Sequence, residues 1–160
     1  MQQIDASAHS AAPVDAVYRL LADGSTWPTW SPIDSFTLEQ PGDSQPEGIG
    51  AVRRFRTGRS TTRERVVERE PGRRLSYVLL GGLPIRGYRA DVDLTPAAGG
   101  GTDIRWRSSF TATVPGTGWL YRRALRRFIQ RCADGLAAHA AAPTEAPTEA
   151  PTEAPKSTMD

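Results

Sequence analysis

Lysine is nearly absent. Lys156 stands alone against 19 arginines among the 20 basic residues of this 160-residue chain. Cysteine is as scarce, with Cys132 the single example. One thiol excludes an internal disulfide, and with no second Cys or Cys/His spacing no metal site is expected. The two histidines, His9 and His139, have no Ser, Cys or Asp at triad spacing in the sequence. No window approaches the ~18 apolar residues that cross a bilayer, so no integral membrane segment is expected. The start, MQQIDASAHSAAP, lacks the basic stretch and apolar run of a signal peptide. Together these absences predict a soluble, cytoplasmic protein. The arginine bias reads as genome base composition. No nucleic-acid reader motif accompanies it, and no nucleic acid partner is expected.

What is present divides the chain into a body, residues 1–142, and a tail, 143–160. The tail repeats Pro-Thr-Glu-Ala and ends Lys-Ser-Thr-Met-Asp. Proline at every fourth position removes backbone donors and blocks helix. Nothing in it can bury enough surface to offset its ordering entropy, which predicts a disordered tether. Glu145, Glu149, Glu153, Asp160 and Lys156 give the tail a net −3; 19 arginines and 14 acids leave the body at +5.

The body opens with strand-like alternation, Ile4, Ala6 and Ala8 against Asp5, Ser7 and His9. Pro13 then starts a helix, with Asp15 where the dipole favours an acid and Val14, Val17, Tyr18 and Leu21 on one face. A helical turn is expected from Thr26 to Trp30, capped by Ser25 or Thr26. From Asp34 to Val114 turn signals punctuate strands: Pro41-Gly42-Asp43, Thr57-Gly58-Arg59, Pro71-Gly72, Gly81-Gly82 and Pro96 to Gly101. This predicts an antiparallel meander. From Gly116 to Ala142 the period changes. Tyr121, Ala124, Leu125, Phe128, Cys132 and Leu136 form one stripe, with Arg122, Arg123, Arg126, Arg127 and Arg131 mainly on other faces, as in a long amphipathic helix.

The hairpins test one another, because turns set pairing and alternation sets the face. A two-residue turn at Gly58-Arg59 sets Phe55 opposite Thr62, Arg53 opposite Glu64 and Ala51 opposite Val66. A turn at Pro71-Gly72 sets Glu68 opposite Leu75, Val66 opposite Tyr77 and Glu64 opposite Leu79. Continued, Leu79 meets Tyr88, Tyr77 meets Ala90 and Leu75 meets Val92. A last step joins Leu94 to Ile104, Val92 to Trp106, Ala90 to Ser108 and Tyr88 to Phe110. One face then collects the apolar residues from Ala51 to Val114. The other collects charge, with Asp93 facing Arg105 and Asp91 facing Arg107.

A sheet with one apolar face must bury it, and the long C-terminal helix is the large partner available. The inner face also holds Arg53, Glu64, Glu68 and Ser108, with the hydroxyls of Tyr77 and Tyr88. Buried charges need partners, and Arg53 and Glu64 are cross-strand neighbours. Small residues alternating with large ones, beside a few polar groups, suit a ligand cavity. A filled core with one structural ion pair is the alternative. The candidate ligand contacts are Arg53, Phe55, Glu64, Val66, Tyr77, Leu79, Tyr88, Ala90, Trp106, Ser108 and Phe110 on the sheet, with Leu125 and Phe128 on the helix.

The segment P-V-D-A-V-Y-R-L-L-A-D-G-S-T-W-P-T-W-S-P resembles the first helix pair of the START-like (SRPBCC) superfamily, in its bacterial polyketide cyclase/dehydrase branch. G-I-G-A-V-R-R-F, R-E-R-V-V-E-R-E-P-G-R-R-L-S-Y, D-V-D-L-T-P-A-A-G-G-G-T-D-I-R-W and the closing helix extend the likeness over residues 2–140. The resemblance implies an α+β helix-grip fold: seven antiparallel strands wrapped around the C-terminal helix, with two short helices after the first strand. It implies a site for sterols, lipids, polyketides or plant hormones; no cofactor is expected. It carries no shared catalytic signature.

Three functions follow for test. The first is binding or transport of a hydrophobic small molecule. The second is a cofactor-free cyclase or dehydratase with Glu64 as acid–base, since burial raises a carboxyl toward neutrality while a paired arginine opposes that. The third is an interaction module acting through the arginine-rich helix face or the tail, peripheral contact with anionic lipid included. Cys132 sits on the apolar stripe as a core residue; His9 and His139 are expected in solvent. Trp27 and Trp30 serve as a lid or as a plug for the short helices. Leu83 and Ile85 are expected in an entrance wall.

Overall fold

A computed structural model describes residues 1–143. The expected disordered tail lies, from residue 144 on, outside the described residues. The element order is β1 (Gln2–Ser10), α1 (Val14–Ala22), a 3-10 turn (Gly24–Thr26), α2 (Trp27–Trp30), β2 (Ser35–Gln40), β3 (Val52–Thr57), β4 (Ser60–Glu70), β5 (Arg74–Gly81), β6 (Ile85–Pro96), β7 (Thr102–Ala112) and α3 (Gly118–Ala141). The seven strands form one antiparallel sheet in the order β1-β7-β6-β5-β4-β3-β2. The meander therefore runs from β2 to β7, and β1 closes the far edge against β7, pairing Ile4 with Ser108 and Ala6 with Trp106.

Most predicted registers hold, across the longer turn from Pro96 to Gly101 as well as the short ones, but Leu79 does not pair with Tyr88, because the β5–β6 ladder ends at Val78 and Arg89. Phe55 pairs with Thr62 and Arg53 with Glu64. Val66 pairs with Tyr77 and Glu64 with Leu79. Tyr77 pairs with Ala90 and Leu75 with Val92. Ala90 pairs with Ser108, Val92 with Trp106 and Leu94 with Ile104.

The ladders shift register at four places, Leu38/Gln40, Arg63/Glu64, Val66/Glu68 and Arg86/Arg89, and the last two change the expected pattern of the inner face. Of these two, the first lies between Val66 and Glu68, so that Glu68 faces Ser76 and Arg69 faces Leu75. The extra residue turns Glu68 to the charged face, where it bonds Arg74 and Arg89. It is not an inner-face residue. The second lies between Arg86 and Arg89 and interrupts the pairing expected for Tyr88 and Phe110, although both stay buried. Val114, expected on the inner face, is exposed because β7 ends at Ala112.

The outer ion pairs also differ from expectation. Asp93 faces Arg105 and Asp91 faces Arg107 along the backbone. The side chains nevertheless bond elsewhere: Arg107 donates to Asp93, Arg105 to Asp5 on β1, and Arg89 and Ser76 to Asp91. Strand twist brings diagonal neighbours within reach of a long arginine.

Thr26 stands at the N-cap of α2 as expected, without a side-chain cap bond, and Asp23 caps the 3-10 turn before it. The Asp23 carboxylate accepts from Ser25 N and Ser25 Oγ. The Trp27 indole donates to Leu21 O at 3.0 Å and that of Trp30 to Thr26 Oγ1 at 3.0 Å. Both tryptophans are buried, so α2 is a plug and not a lid.

The sheet grips α3 unevenly. From Ile129 on, the helix buries Ile129, Cys132, Ala133, Leu136 and Ala137. There Ser10 Oγ donates to Ala137 O at 2.7 Å. At Gly135 the helix nearly touches α2: a Cβ would lie 1.7 Å from Trp30 O. In the first half, Tyr121, Leu125 and Phe128 are only half-buried. The helix stands off the sheet there.

Candidate functional site: a cavity between sheet and helix

The space under the first half of α3 is a cavity of about 370 Å³. Its buried end is formed by Trp27, Ile33, Phe55, Glu64, Tyr77, Tyr88, Trp106 and Ile129. Its rim includes the half-buried Thr57, Leu83 and Tyr121 and the exposed Ser60 and Ala124. The mouth therefore lies between the β3–β4 turn, the β5–β6 loop and the start of α3.

Glu64 is the one carboxylate in the wall. It is there because β4 alternates inward at Thr62, Glu64 and Val66. Arg53 Nη2 donates to Glu64 Oε1 at 2.8 Å, and no other hydrogen bond reaches Glu64 among the described residues. Burial pushes the Glu64 carboxyl above its ordinary value, against the pull of Arg53.

Arg53 is fully buried behind this carboxylate. Its guanidinium carbon lies 4.9, 5.2 and 5.7 Å from the ring centres of Trp27, Phe55 and Tyr77. Such contacts are worth about 2 kcal/mol when desolvated. Glu47, from the β2–β3 loop, approaches Arg53 Nη1 at 3.7 Å and accepts from Gly24 N at 2.9 Å. Burial raises its carboxyl as well. Arg53 Nε and Nη1 make no hydrogen bond. The cation is held by two carboxylates and an aromatic cage.

Two phenols stand beside Glu64. Tyr77 OH accepts from Trp106 Nε1 at 3.3 Å, and the Tyr77 and Tyr88 rings are 6.3 Å apart. Burial pushes both hydroxyls up, so they are neutral donors at physiological pH.

The model of the family described as polyketide cyclase / dehydrase and lipid transport matches residues 1–141. The chain belongs to this family. No curated protein matches the chain. Among solved structures, XoxI from Bacillus cereus is similar over 87% of this chain and 95% of its own, at 17% identity and TM-score 0.73. A START superfamily protein from Mycobacterium smegmatis covers 86% and 96%, at 12% identity and TM-score 0.74. The di-domain ARO/CYC StfQ from the steffimycin biosynthetic pathway matches over 86% of this chain and 50% of its own, at 20% identity and TM-score 0.70. At these identities the likeness is one of fold: a START-like helix-grip.

Within this family member, Phe55, Glu64, Tyr77, Leu79, Tyr88, Trp106, Leu125 and Phe128 reach the cavity wall. Arg53, Val66, Ala90, Ser108 and Phe110 do not line it, although all five are buried. Val66, Ala90, Ser108 and Phe110 are covered where the sheet is packed, and Arg53 sits one layer behind Glu64. Alternation names a face, not which part of that face is left uncovered.

Trp27, Ile33, Thr57, Ser60, Thr62, Leu83, Tyr121, Ala124 and Ile129 complete the wall. Leu83 is on it, as an entrance residue should be, whereas Ile85 is buried and starts β6. The helical period already placed Tyr121 and Ala124 on the inward stripe. Glu47 had no signal, because a loop has no period.

Cys132 is buried and its thiol is pushed up, which leaves it unreactive. His9 is exposed and shares a hydrogen bond with Asp103 at 2.9 Å; His139 is exposed. Among the described residues no helix is long and apolar enough to cross a membrane, and no group of three His, Cys, Asp or Glu side chains is placed to hold a metal.

Proposed function

We propose that the protein binds a neutral, largely apolar small molecule in the cavity, with Glu64, Tyr77 and Tyr88 as its polar end. One observation carries this: a 370 Å³ space with a mainly apolar wall, interrupted by a single carboxylate and two phenols at the buried end and by the hydroxyls of Thr57, Ser60 and Thr62. That volume is within the roughly 300–1,000 Å³ of small-molecule sites, and such sites pair apolar walls with few orienting groups. An ionised Glu64 accepts a hydrogen bond and repels anions, whereas the phenols donate to a carbonyl. The chemistry favours a ligand with a hydroxyl and a carbonyl, such as a sterol- or polyketide-like molecule, over a free fatty acid.

Native mass spectrometry of the full chain purified from its own host, with thermal shifts against lipids, sterols and polyphenols, tests the reading. A stabilising ligand at a hundred times its Kd raises stability by about 2.7 kcal/mol. Ala124→Trp, at the exposed rim, should abolish that shift while leaving the unliganded melting temperature nearly unchanged. No co-purified ligand and no shift in the panel would count against ligand binding.

A second reading has one observation of its own. Glu64 is held by one donor to Oε1, faces the cavity and has a raised pKa. A carboxylate in that state suits proton abstraction beside a carbonyl, as in an aldol cyclisation or dehydration. With a bound polyketide-like ligand that turns over, Glu64→Gln should lower kcat by about 10²-fold or more and leave binding within a few fold. An unchanged rate removes Glu64 from the chemistry.

A further inference from the structure

The first half of α3 carries a face that packing does not use. Trp119 is 62% exposed and Leu120 51%; Val114, just before the helix, is 54% exposed. The other three of the four tryptophans are buried. Large apolar side chains grouped in water mark a contact surface.

Arg122, Arg123, Arg126 and Arg127 follow, all exposed. None of them forms an ion pair among the described residues; on the sheet Arg53, Arg63, Arg74, Arg89, Arg105 and Arg107 are paired, and Arg54, Arg56, Arg65, Arg69 and Arg86 are not. The first turn of the helix has no acid to offset them. The result is an uncompensated positive field. At 100° per residue, Trp119, Arg123 and Arg127 project on the side opposite Leu125 and Phe128. Along the axis they are spaced by about 6 Å each.

This tip borders the cavity mouth. Tyr121 and Ala124 on the rim belong to the same two turns. The opposite lip, the β5–β6 loop, brings Leu83 to the rim. Thr113 N and Thr113 Oγ1 both donate to Pro84 O, at 3.1 and 2.8 Å, and tie that loop to the segment leading into α3.

We propose that this end of the molecule docks on an anionic lipid bilayer, with Trp119 and Leu120 in the interfacial layer and Arg123 and Arg127 at the phosphates. The arginines alone would suit any polyanion. The ordering decides for a membrane: an apolar tip with an indole leads, and a basic belt stands behind it, as acyl chains lie inside phosphates. Docked so, the cavity mouth faces the lipid and a hydrophobic guest passes without crossing water. The docking does not require the cavity to hold a ligand.

Flotation of the full chain with vesicles tests it. Binding is expected to phosphatidylcholine vesicles containing phosphatidylserine, to weaken steeply with salt, and to be far weaker without phosphatidylserine. Each arginine near such a surface contributes about fivefold, so Arg123→Glu with Arg127→Glu should cost at least about 25-fold. Reversing Arg54 and Arg56, exposed on the sheet, should leave binding within about twofold.

Trp119, the lone exposed tryptophan, provides a direct reading. Its fluorescence should shift to the blue on binding, and Trp119→Phe should abolish the shift while still binding. Three results overturn the proposal: no binding by the wild-type chain, binding without a blue shift, or equal loss in the Arg54/Arg56 variant. Binding of an oligonucleotide that depends on Arg123 and Arg127, with none to vesicles, would reassign the face to nucleic acid.

Discussion

At the residue scale the molecule turns on Arg53 and Glu64. A fully buried guanidinium is tolerated because Glu64, Glu47 and three aromatic rings replace its water. Removing one member of a buried pair is costlier than removing both. Arg53→Met should therefore destabilise by roughly 3–5 kcal/mol, and Arg53→Met with Glu64→Leu by less, measured by urea unfolding. A double variant as unstable as the single one would show that the pair is not an energetic unit.

Glu64 also links stability to pH. Its folded pKa is raised above 4.5, so folding takes up a proton between the two values. The Glu64 contribution is fully present below pH 4.5 and is lost as pH rises through the folded value. Relative to Glu64→Gln, the wild-type chain should lose stability as pH rises above 4.5. A difference that stays constant as pH rises would mean that the ionised carboxylate is not penalised in the folded state.

At the element scale α3 does two jobs along one axis. Its second half is core. Gly135, unfavourable within a helix by about 1 kcal/mol, is required where the Trp30 carbonyl leaves no space for a methyl group. Gly135→Ala should thus lower the melting temperature despite the gain in helix propensity, by moving α2 away from α3. A raised melting temperature would show that the α2–α3 contact yields without cost. The first half stands off and makes the cavity roof. Sequence periodicity placed both halves on one stripe, because the period of a helix is the same whether the stripe meets a sheet or an opening. The register shifts were equally out of reach: an irregularity in one strand shows only where strands are paired.

At the scale of the whole molecule, charge lies on the outer surface of the sheet. Hydrogen bonds from Arg105 hold the Asp5 carboxyl below its ordinary 3.8. Burial works against Asp91 and Asp93, but bonds from Arg89 and Ser76, and from Arg74 and Arg107, outweigh it and lower both. These contributions are present above pH 3.8 and are lost as pH falls through the folded values. Acid unfolding should be less steep below pH 3.8 in Asp93→Asn, at a cost near pH 7 of about 1 kcal/mol or less. The same steepness in the variant would exclude Asp93 from the acid response.

The alternating face from Ala51 to Phe110, the hairpin registers across short turns, the long amphipathic helix and the pairing of Arg53 with Glu64 were all determined by sequence, because each depends on neighbours a few residues apart or across a tight turn. The placement of β1 against β7, the bulge that turned Glu68 outward, the diagonal exchange of partners on the charged face, the reach of Glu47 to Arg53 and the gap beneath Tyr121 and Leu125 were decided by tertiary structure. Each is set by where distant segments meet, and no local period records the distance between two surfaces.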